Sequence, residues 1–477
     1  GLGEGTLDAG LPRLLHAAGS YDRSRRRPAR ADRAGSLGRG GNSDALDRLH
    51  GWRRQLWRGR CQRGSRSACG GPRLAAPNLR GAERYDRSVD RLKADLEALA
   101  GIERGSASEG EQTAARWAAG RLTECGASGV GIEHYLGRTT NSWSFAGHSV
   151  VGLLAQTLGG IGGALLALGA LVSLERDASG RSPWRRRITG GARGANAIAT
   201  VAPAGDRLQT VVIVAHLDAA KTGLAWHPRI TQSGAERHLR TRKVEPVIGL
   251  QGIALAGSAL AALLERGTFL RRLIGVPAAL LNLLAVLANL DIAHSASVPG
   301  ANDNASGVAA ALSLAASLSA SPLRSTQVEF ALVGSEESGM GGFHAFLENR
   351  AGQLDPTTTL VLGLDTLGSG TPIVAAAEGA LMTHRYREDD LALADEGARL
   401  AGQQVPQRWR IGGWTDPLLA LTRGIPAISL LSIGPGYYPH YHDPSDLPKF
   451  VDFDCLTNCT EVAAGILRAY DEAASVR

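Results

Sequence analysis

"FALVGSEESGMGG", residues 330–342, runs from an apolar stretch straight into two adjacent glutamates, Glu336 and Glu337, and then into glycine. Neighbouring carboxylates repel, so such a pair stands either in open water or beside a cation. Three other apolar runs end in the same manner. "QTVVIVAH" closes on His216 with Asp218 two residues on, "TTLVLGLD" closes on Asp365, and "IPAISLLS" leads into "PGYYPHYHDPSD" with His440 and His442. Short β-branched runs of this kind suit strands covered on both faces. Helix-like segments such as "ASGVAAALSLAASLSA" and "GGFHAFLENRAG" lie between them, and strand alternating with helix argues for an α/β layered domain. In open α/β sheets ligands bind outside the carboxyl ends of the strands. The strand ends thus aim His, Asp, Glu and His at one region, and "GANDNASG" adds Asp303 from a tight loop before a helix.

Neutral imidazoles and carboxylates, few enough to leave room for water, are what a pair of zinc ions requires. Three carboxylates against two Zn²⁺ leave one positive charge, which a hydroxide cancels, so the centre can be buried. Neighbours on an extended backbone point to opposite sides. Glu336 and Glu337 are therefore expected to divide the work, one holding metal and the other taking the proton of the attacking water and passing it to the leaving amine. No fragment is specific alone, since Glu-Glu pairs are usually solvated surface. The joint arrangement, with each member at a strand end or Gly-rich turn, carries the inference.

"AHLD", "GANDNASG", "SEESGMGG", "LDTLG" and "YHDPSD", in that order, resemble the five metal-site motifs of the di-zinc aminopeptidase family of bacterial leucyl aminopeptidase and aminopeptidase Y. Glutamate carboxypeptidase II, transferrin receptor and glutaminyl cyclase are distant relatives. The resemblance spans residues 83–146 and 190–475, less two apolar insertions, and implies a three-layer sandwich with a mixed, mostly parallel central sheet. It also implies that Asp303 bridges two zinc ions, that His216 and Asp365 complete one and Glu337 and His442 the other, and that Glu336 is the general base. Asp218 would orient His216, as ligating imidazoles usually require. His440 rivals His442 for the last ligand place, but the motif aligns at His442. His294 and His344 read as ordinary histidines and Asp416 as a supporting acidic position. The implied activity is zinc-dependent removal of amino-terminal residues from peptides. Single-zinc acyl transfer of the glutaminyl cyclase kind and a catalytically silent receptor with the same fold are the competing readings.

The 477 residues sum to a net charge of +7, yet residues 1–80 hold 17 Arg and no Lys against 6 acidic residues, so the remainder is acidic. The opening segment has little apolar periodicity and cannot bury enough surface to offset its ordering entropy. A solvated, disordered tail over 1–82 is expected, and no nucleic-acid partner. The chain starts with Gly, so its lack of a signal peptide carries no inference. Cys61, Cys69, Cys125, Cys455 and Cys459 form no CxxC pair and read as incidental thiols. Residues 86–124 predict two helices, the second opened by Ser108 with Glu111 three residues on.

Two stretches break the α/β pattern. Residues 149–174 carry no charge, and residues 246–290 hold two apolar runs separated by "ERGTFLRR"; all three runs reach transmembrane length. The expected organisation is a peptidase domain in three parts, 83–146, 189–244 and 293–477, interrupted by hydrophobic insertions at 147–188 and 245–292. Both flanks of each insertion belong to one domain, so any membrane crossings within it must be even in number. Residues 246–290 satisfy this as a hairpin. For 149–174, "GGIGG" predicts a break, giving a re-entrant hairpin or a helix lying against the membrane or the other pair. A lipid bilayer is thus the expected partner beside the peptide substrate. The Arg-rich flanks "RSPWRRR" and "RHLRTRK" lean toward a cytoplasmic domain, whereas relatives commonly face outward.

Overall fold

The structure is a computed structural model that describes residues 79–181, 191–245 and 248–474. Residues 1–78, with Cys61 and Cys69, lie outside the described residues. Residues 79–82, expected in the disordered tail, instead open helix α1 (Leu79–Ala100). The apolar spacing of Leu92, Leu96 and Leu99 explains the helix, for all three are buried. Helix α2 (Glu109–Glu124) follows, with the Ser108 side chain accepting from the Glu111 backbone N–H at 3.1 Å.

Then come β1 (Ser128–Gly137), α3 (Ser142–Leu158), α4 (Gly160–Ala178), β2 (Ala192–Val201) and β3 (Gln209–His216). After short helical turns over 224–231 lie α5 (Ala235–Thr241), α6 (Ile248–Leu263), α7 (Phe269–His294) and α8 (Ser306–Ala320). The chain continues through β4 (Thr326–Val333), α9 (Gly341–Asn349), β5 (Thr359–Leu364), β6 (Thr371–Glu378), β7 (His384–Arg385) and α10 (Glu388–Leu400). It closes with β8 (Gln407–Ile411), α11 (Pro417–Leu421), β9 (Ala427–Ile433) and α12 (Phe453–Ala474).

The strands form one sheet in the order β1-β2-β4-β3-β5-β9-β6-β7, with β8 paired to β6. Its centre, β4-β3-β5-β9, is parallel, while β2 joins β4, and β6 joins β9, in antiparallel sense. With helices flanking it, this is a mixed α/β sandwich. Every residue of β3 is buried, as a central strand covered on both faces should be. The register places His216 opposite Val333 and Val214 opposite Gly363, so the residues that follow β3, β4 and β5 emerge side by side.

Both apolar stretches form helical hairpins. Gly159, at φ +67°, separates α3 from α4. The start of α3 lies against the end of α4, since Ser144 Oγ donates to Asp177 Oδ2 at 2.5 Å and the His148 ring meets Ser173 Oγ at 2.9 Å. In the second hairpin, Asn282 of α7 donates to Ser258 Oγ of α6 at 3.0 Å. Contacts between the pairs close a four-helix bundle: Gln156 donates to Ser258, and Gln251 donates to the Phe145 carbonyl and to Ser149. Small residues let the helices approach. A Cβ on Gly152 would come within 2.8 Å of Leu255 and 3.0 Å of the Asn282 amide.

Each hairpin leaves and re-enters the domain at one place. Gly137 pairs with Ala192 across β1 and β2, and Lys221 bridges Ser297 at the base of the second. At the first stem Arg138 is buried, donating to both Asp177 oxygens at 3.1 and 3.2 Å and to the Ser338 carbonyl at 3.0 Å. Removing one member of a buried pair strands the other charge. We expect Asp177→Ala to cost roughly 3–5 kcal/mol in chemical denaturation, and Arg138→Met with Asp177→Leu to recover most of the loss. A double variant destabilised by the sum of the losses of Asp177→Leu and Arg138→Met alone would show the two residues to be independent.

Candidate metal centre

Six side chains converge where the strands end. His216 Nε2 lies 3.2 Å from Asp303 Oδ1 and 3.9 Å from Asp365 Oδ1. His442 Nε2 lies 3.3 Å from the other Asp303 oxygen, Oδ2, and 3.2 Å from Glu337 Oε2. Asp303 thus offers one oxygen to each set. A tetrahedral ion with ligands at 2.0–2.1 Å separates them by about 3.3 Å, so these spacings fit a first-row metal.

The hydrogen bonding fits as well. Asp303 Oδ2, Glu337 Oε1 and His442 Nε2 are buried and have no hydrogen-bond partner, a costly condition for polar atoms unless a cation completes them. Although burial opposes it, Glu337 and Asp303 push the His442 imidazole up to about 10. His216 is likewise raised well above the ordinary range: burial lowers it, but Asp218, Asp303 and Asp365 outweigh that. Burial also raises the carboxyls of Glu336, Glu337 and Asp365. So many acidic groups packed together require compensating positive charge.

The glutamates differ from the sequence expectation in one respect. They do not sit on extended backbone: Ser335 is left-handed at φ +55°, and Glu336 opens a turn whose carbonyl accepts from Gly339 and Met340. The turn brings both carboxylates and His216 together, with one ligand atom of each within 4.8 Å of the others. The geometric bar to their sharing an ion therefore falls away. Thr366, next to Asp365, and His442 itself are also left-handed, at φ +49° and +53°, and such backbone gathers where side-chain direction matters.

Behind the cluster, buried carboxylates hold backbone. Asp218 accepts from the Glu336 N–H at 3.0 Å, the Glu337 N–H at 3.2 Å and Ser106 Oγ at 2.6 Å. Its contact with His216 is chiefly through the main chain, the carbonyl lying 3.1 Å from Nδ1 and the carboxylate 3.6 Å. His440 is turned away, bonded to Ser445 and stacked on Phe450. His294 is exposed against Trp143, and His344 is buried in α9. Asp416 is buried at the head of α11, close enough for its charge to act on Glu336.

Sequence reasoning missed three supports. Asp446 accepts from the backbone N–H groups of Asn302 and Asp303 at 2.8 and 3.1 Å; it lies in the quoted "YHDPSD" but received no role. Glu111 was read only as a helix cap, yet its carboxylate accepts from Ala107, Ala195, Ser335 and Tyr135. Burial pushes this carboxyl up to about 7. Arg104 is fully buried and donates to the Pro299 and Gly300 carbonyls, holding the turn that delivers Asp303. Burial lowers its pKa to about 10. Gly300 must be glycine there: φ is +63°, and a Cβ would meet the Asp303 carbonyl at 2.4 Å and Arg104 at 2.8 Å.

The profile of Peptidase family M28 matches residues 282–467. The match takes in Asp303, Glu336, Glu337, Asp365 and His442, and begins after His216, which the second hairpin separates from the rest. Among solved structures, the chain is similar to LapB from Legionella pneumophila, with 11% identity over 84% of this chain and 78% of that one at a TM-score of 0.46. It is similar to an aminopeptidase from Aneurinibacillus sp. strain AM-1, with 16% identity over 80% and 93% at 0.46. It is also similar to a glutaminyl cyclase from Tannerella forsythia, with 13% identity over 80% and 98% at 0.46. A search of curated proteins finds no match. The family match agrees with the resemblance carried by the five motifs, and supports a metallopeptidase.

Metal should bind the folded chain and not the unfolded one. At a metal concentration 100-fold above Kd, we expect about 2.7 kcal/mol of added stability, seen as a rise in Tm when zinc is returned to chelator-treated protein. A Tm indifferent to both chelator and zinc would remove the centre.

Proposed function

We propose that the chain is a membrane-associated, zinc-dependent exopeptidase that removes amino-terminal residues from peptides. The observation carrying this reading is the set of buried ligand atoms that approach within 3.2–3.3 Å and yet leave Asp303 Oδ2 and His442 Nε2 without a hydrogen bond. We assign His216, Asp365 and one Asp303 oxygen to one zinc, and Glu337, His442 and the other Asp303 oxygen to a second. When bound, zinc polarises a carbonyl and acidifies water.

Glu336 is the general base in this reading. Its backbone is pinned by Asp218, so its carboxylate can stay beside the reacting carbonyl, take a proton from the attacking water and return it to the leaving amine. Asp218 positions Glu336, Glu337 and His216 together. Asp303, Glu336, Glu337 and Asp365 would balance four metal charges, and the buried charge of Asp416 acting on Glu336 favours the ammonium of a free amino terminus nearby. Two complete donor sets favour two-metal hydrolysis over single-zinc acyl transfer, and the presence of every ligand and the base disfavours a silent scaffold.

The bundle supports the membrane assignment. Among the described residues α7 is the one helix long and apolar enough to cross a membrane by itself. The others measure about 24–28 Å at 1.5 Å per residue, near the thickness of a hydrocarbon core. Their outward Leu, Ile and Val side chains are exposed, Ile161 at 73% and Leu165 at 64%, far more than a water-facing surface tolerates. The bundle is polar at both ends. Arg266 and Arg271 cap the carbonyls ending α3 at the hairpin tips, and Arg138 with Asp177 lies at the base.

Glu336→Gln should lower kcat by roughly 10²–10⁴-fold while leaving two zinc ions per chain by elemental analysis. Turnover equal to wild type would dismiss Glu336 as the base. Chelation should abolish release of the amino-terminal residue, and zinc should restore it. Activity that survives full metal removal would end the metallopeptidase reading.

A further inference from the structure

The metal centre is not a closed pocket. A single cavity of about 1770 Å³ contains His216, Glu336 and His442 and continues onto α4, α6 and α7. Ligand sites usually occupy about 300–1,000 Å³, so this one is far larger than a single side chain needs. Its far wall is apolar and open at the side: Val172, Leu250, Ile253, Leu284 and Leu287 line it while 54–63% exposed. The same residues therefore border both the cavity and the outer face of the bundle. Trp226 and Leu381 also line the cavity. Trp226 stands edge-on to the His442 ring at 4.4 Å, and Leu381 packs on Gly252 of α6. The apolar trough begins at the metal ligands themselves.

We propose that the substrates are peptides with an apolar amino-terminal stretch that reaches the metal centre sideways from the lipid layer, the residues after the scissile bond lying in the trough beside α6 and α7. This rests on the exopeptidase reading and names its substrate class. Three features commit the trough to this occupant. It is continuous with the centre, so its contents are attached to whatever is cleaved. Its walls would stay in contact with lipid when empty, so apolar side chains of a substrate replace lipid there at little cost, whereas polar ones do not. Its length fixes the segment: from Leu281 to Asp291 the wall on α7 runs about 15 Å, room for four to five extended residues at about 3.3 Å each. Selectivity should consequently extend through the first five or so residues and then fade.

The test uses the full chain, loaded with zinc, in phosphatidylcholine vesicles. Three substrates share an amino-terminal Leu: a short aminoacyl amide, a seven-residue peptide apolar over its first five positions, and one polar over the same positions. We expect kcat/KM for the apolar peptide to exceed that for the polar one by at least about tenfold. Ile253→Trp and Leu284→Trp narrow the trough without adding charge to the outer face, and should cut that ratio several-fold. Leu165→Trp, exposed on α4 away from the cavity, should leave it unchanged, which separates the trough from simple partitioning of the peptide into vesicles. Equal rates for both peptides, or a ratio shifted alike by all three variants, would overturn the inference. Binding of dansylated peptides to Glu336→Gln supplies a readout free of turnover. If no substrate is cleaved but the apolar peptide binds at least about tenfold more tightly, the exopeptidase reading fails and the trough stands. If the short amide is cleaved and neither peptide is preferred, the trough fails and the exopeptidase reading stands.

Discussion

Everything in this fold is arranged around the burial of like charges at the ends of parallel strands. Asp303, Glu336, Glu337 and Asp365 meet with only two imidazoles among them, and burial raises three of the four carboxyls. Such a cluster holds its shape only if its backbone is fixed from behind, because the side chains alone would swing apart. One device serves throughout. A buried carboxylate from a neighbouring element accepts two backbone N–H groups: Asp218 those of Glu336 and Glu337, Asp446 those of Asn302 and Asp303, Glu111 those of Ala107 and Ala195. Acceptance by charge strengthens each bond. It also adds negative charge close to the centre, which Arg104, buried among Asp446, Asp218 and Asp303, partly offsets.

The two hairpins enter this arrangement without disturbing it, because each is closed at its base. Gly137 and Ala192 remain partners in the sheet across everything between them, and the second hairpin is sealed by Thr222 donating to Ala296 and Val298 donating to Ala220. Loop-closure entropy rises only slowly with length, so a sealed stem lets a long segment be added at little expense to the domain. Within and between the hairpins the helices bury small residues and pair their polar groups, Asn282 with Ser258 inside the second hairpin and Gln156 with Ser258 across the two. Large apolar side chains are left to face outward.

What the sequence disclosed and what it withheld divide along a physical line. Strand ends, the Ser108 cap and the break at Gly159 are local: each depends on a few consecutive residues whose preferences agree, and each is visible in "QTVVIVAH", "SEGE" or "LGGIGG". The convergence of His216 with Asp303 depends on packing a strand end against a turn far away in sequence, and was legible only because five motifs kept one order. The supports escaped for the opposite reason. Glu111 serves as a helix-capping neighbour and as a buried acceptor at once, and the first role hides the second. Arg104 stands alone between an ordinary helix and a glycine-rich turn, so no periodicity marks it. The backbone of Glu336 and Glu337 was misjudged because Ser335, an unremarkable residue, adopts a left-handed conformation that only the tertiary structure imposes.

The bundle and the candidate centre are one construction, since the two stems touch different members of one donor set, Glu337 and His442. At the first, Arg138 joins Asp177 of α4 to the carbonyl of Ser338, one residue beyond Glu337. At the second, the chain leaving Lys221 carries Trp226 to the His442 ring, and Asp291 near the end of α7 accepts from the Leu224 N–H at 2.6 Å. A shift of α4 is thus passed to the glutamate turn, and a shift of α7 to the histidine. Buried charge pairs and packed rings resist such shifts because neither deforms gradually. An apolar appendage tied on for anchorage alone would need no contact with the reacting residues. Here both hairpins supply cavity wall and backing for the converging side chains, so the surroundings that the bundle prefers are also imposed on the candidate metal centre.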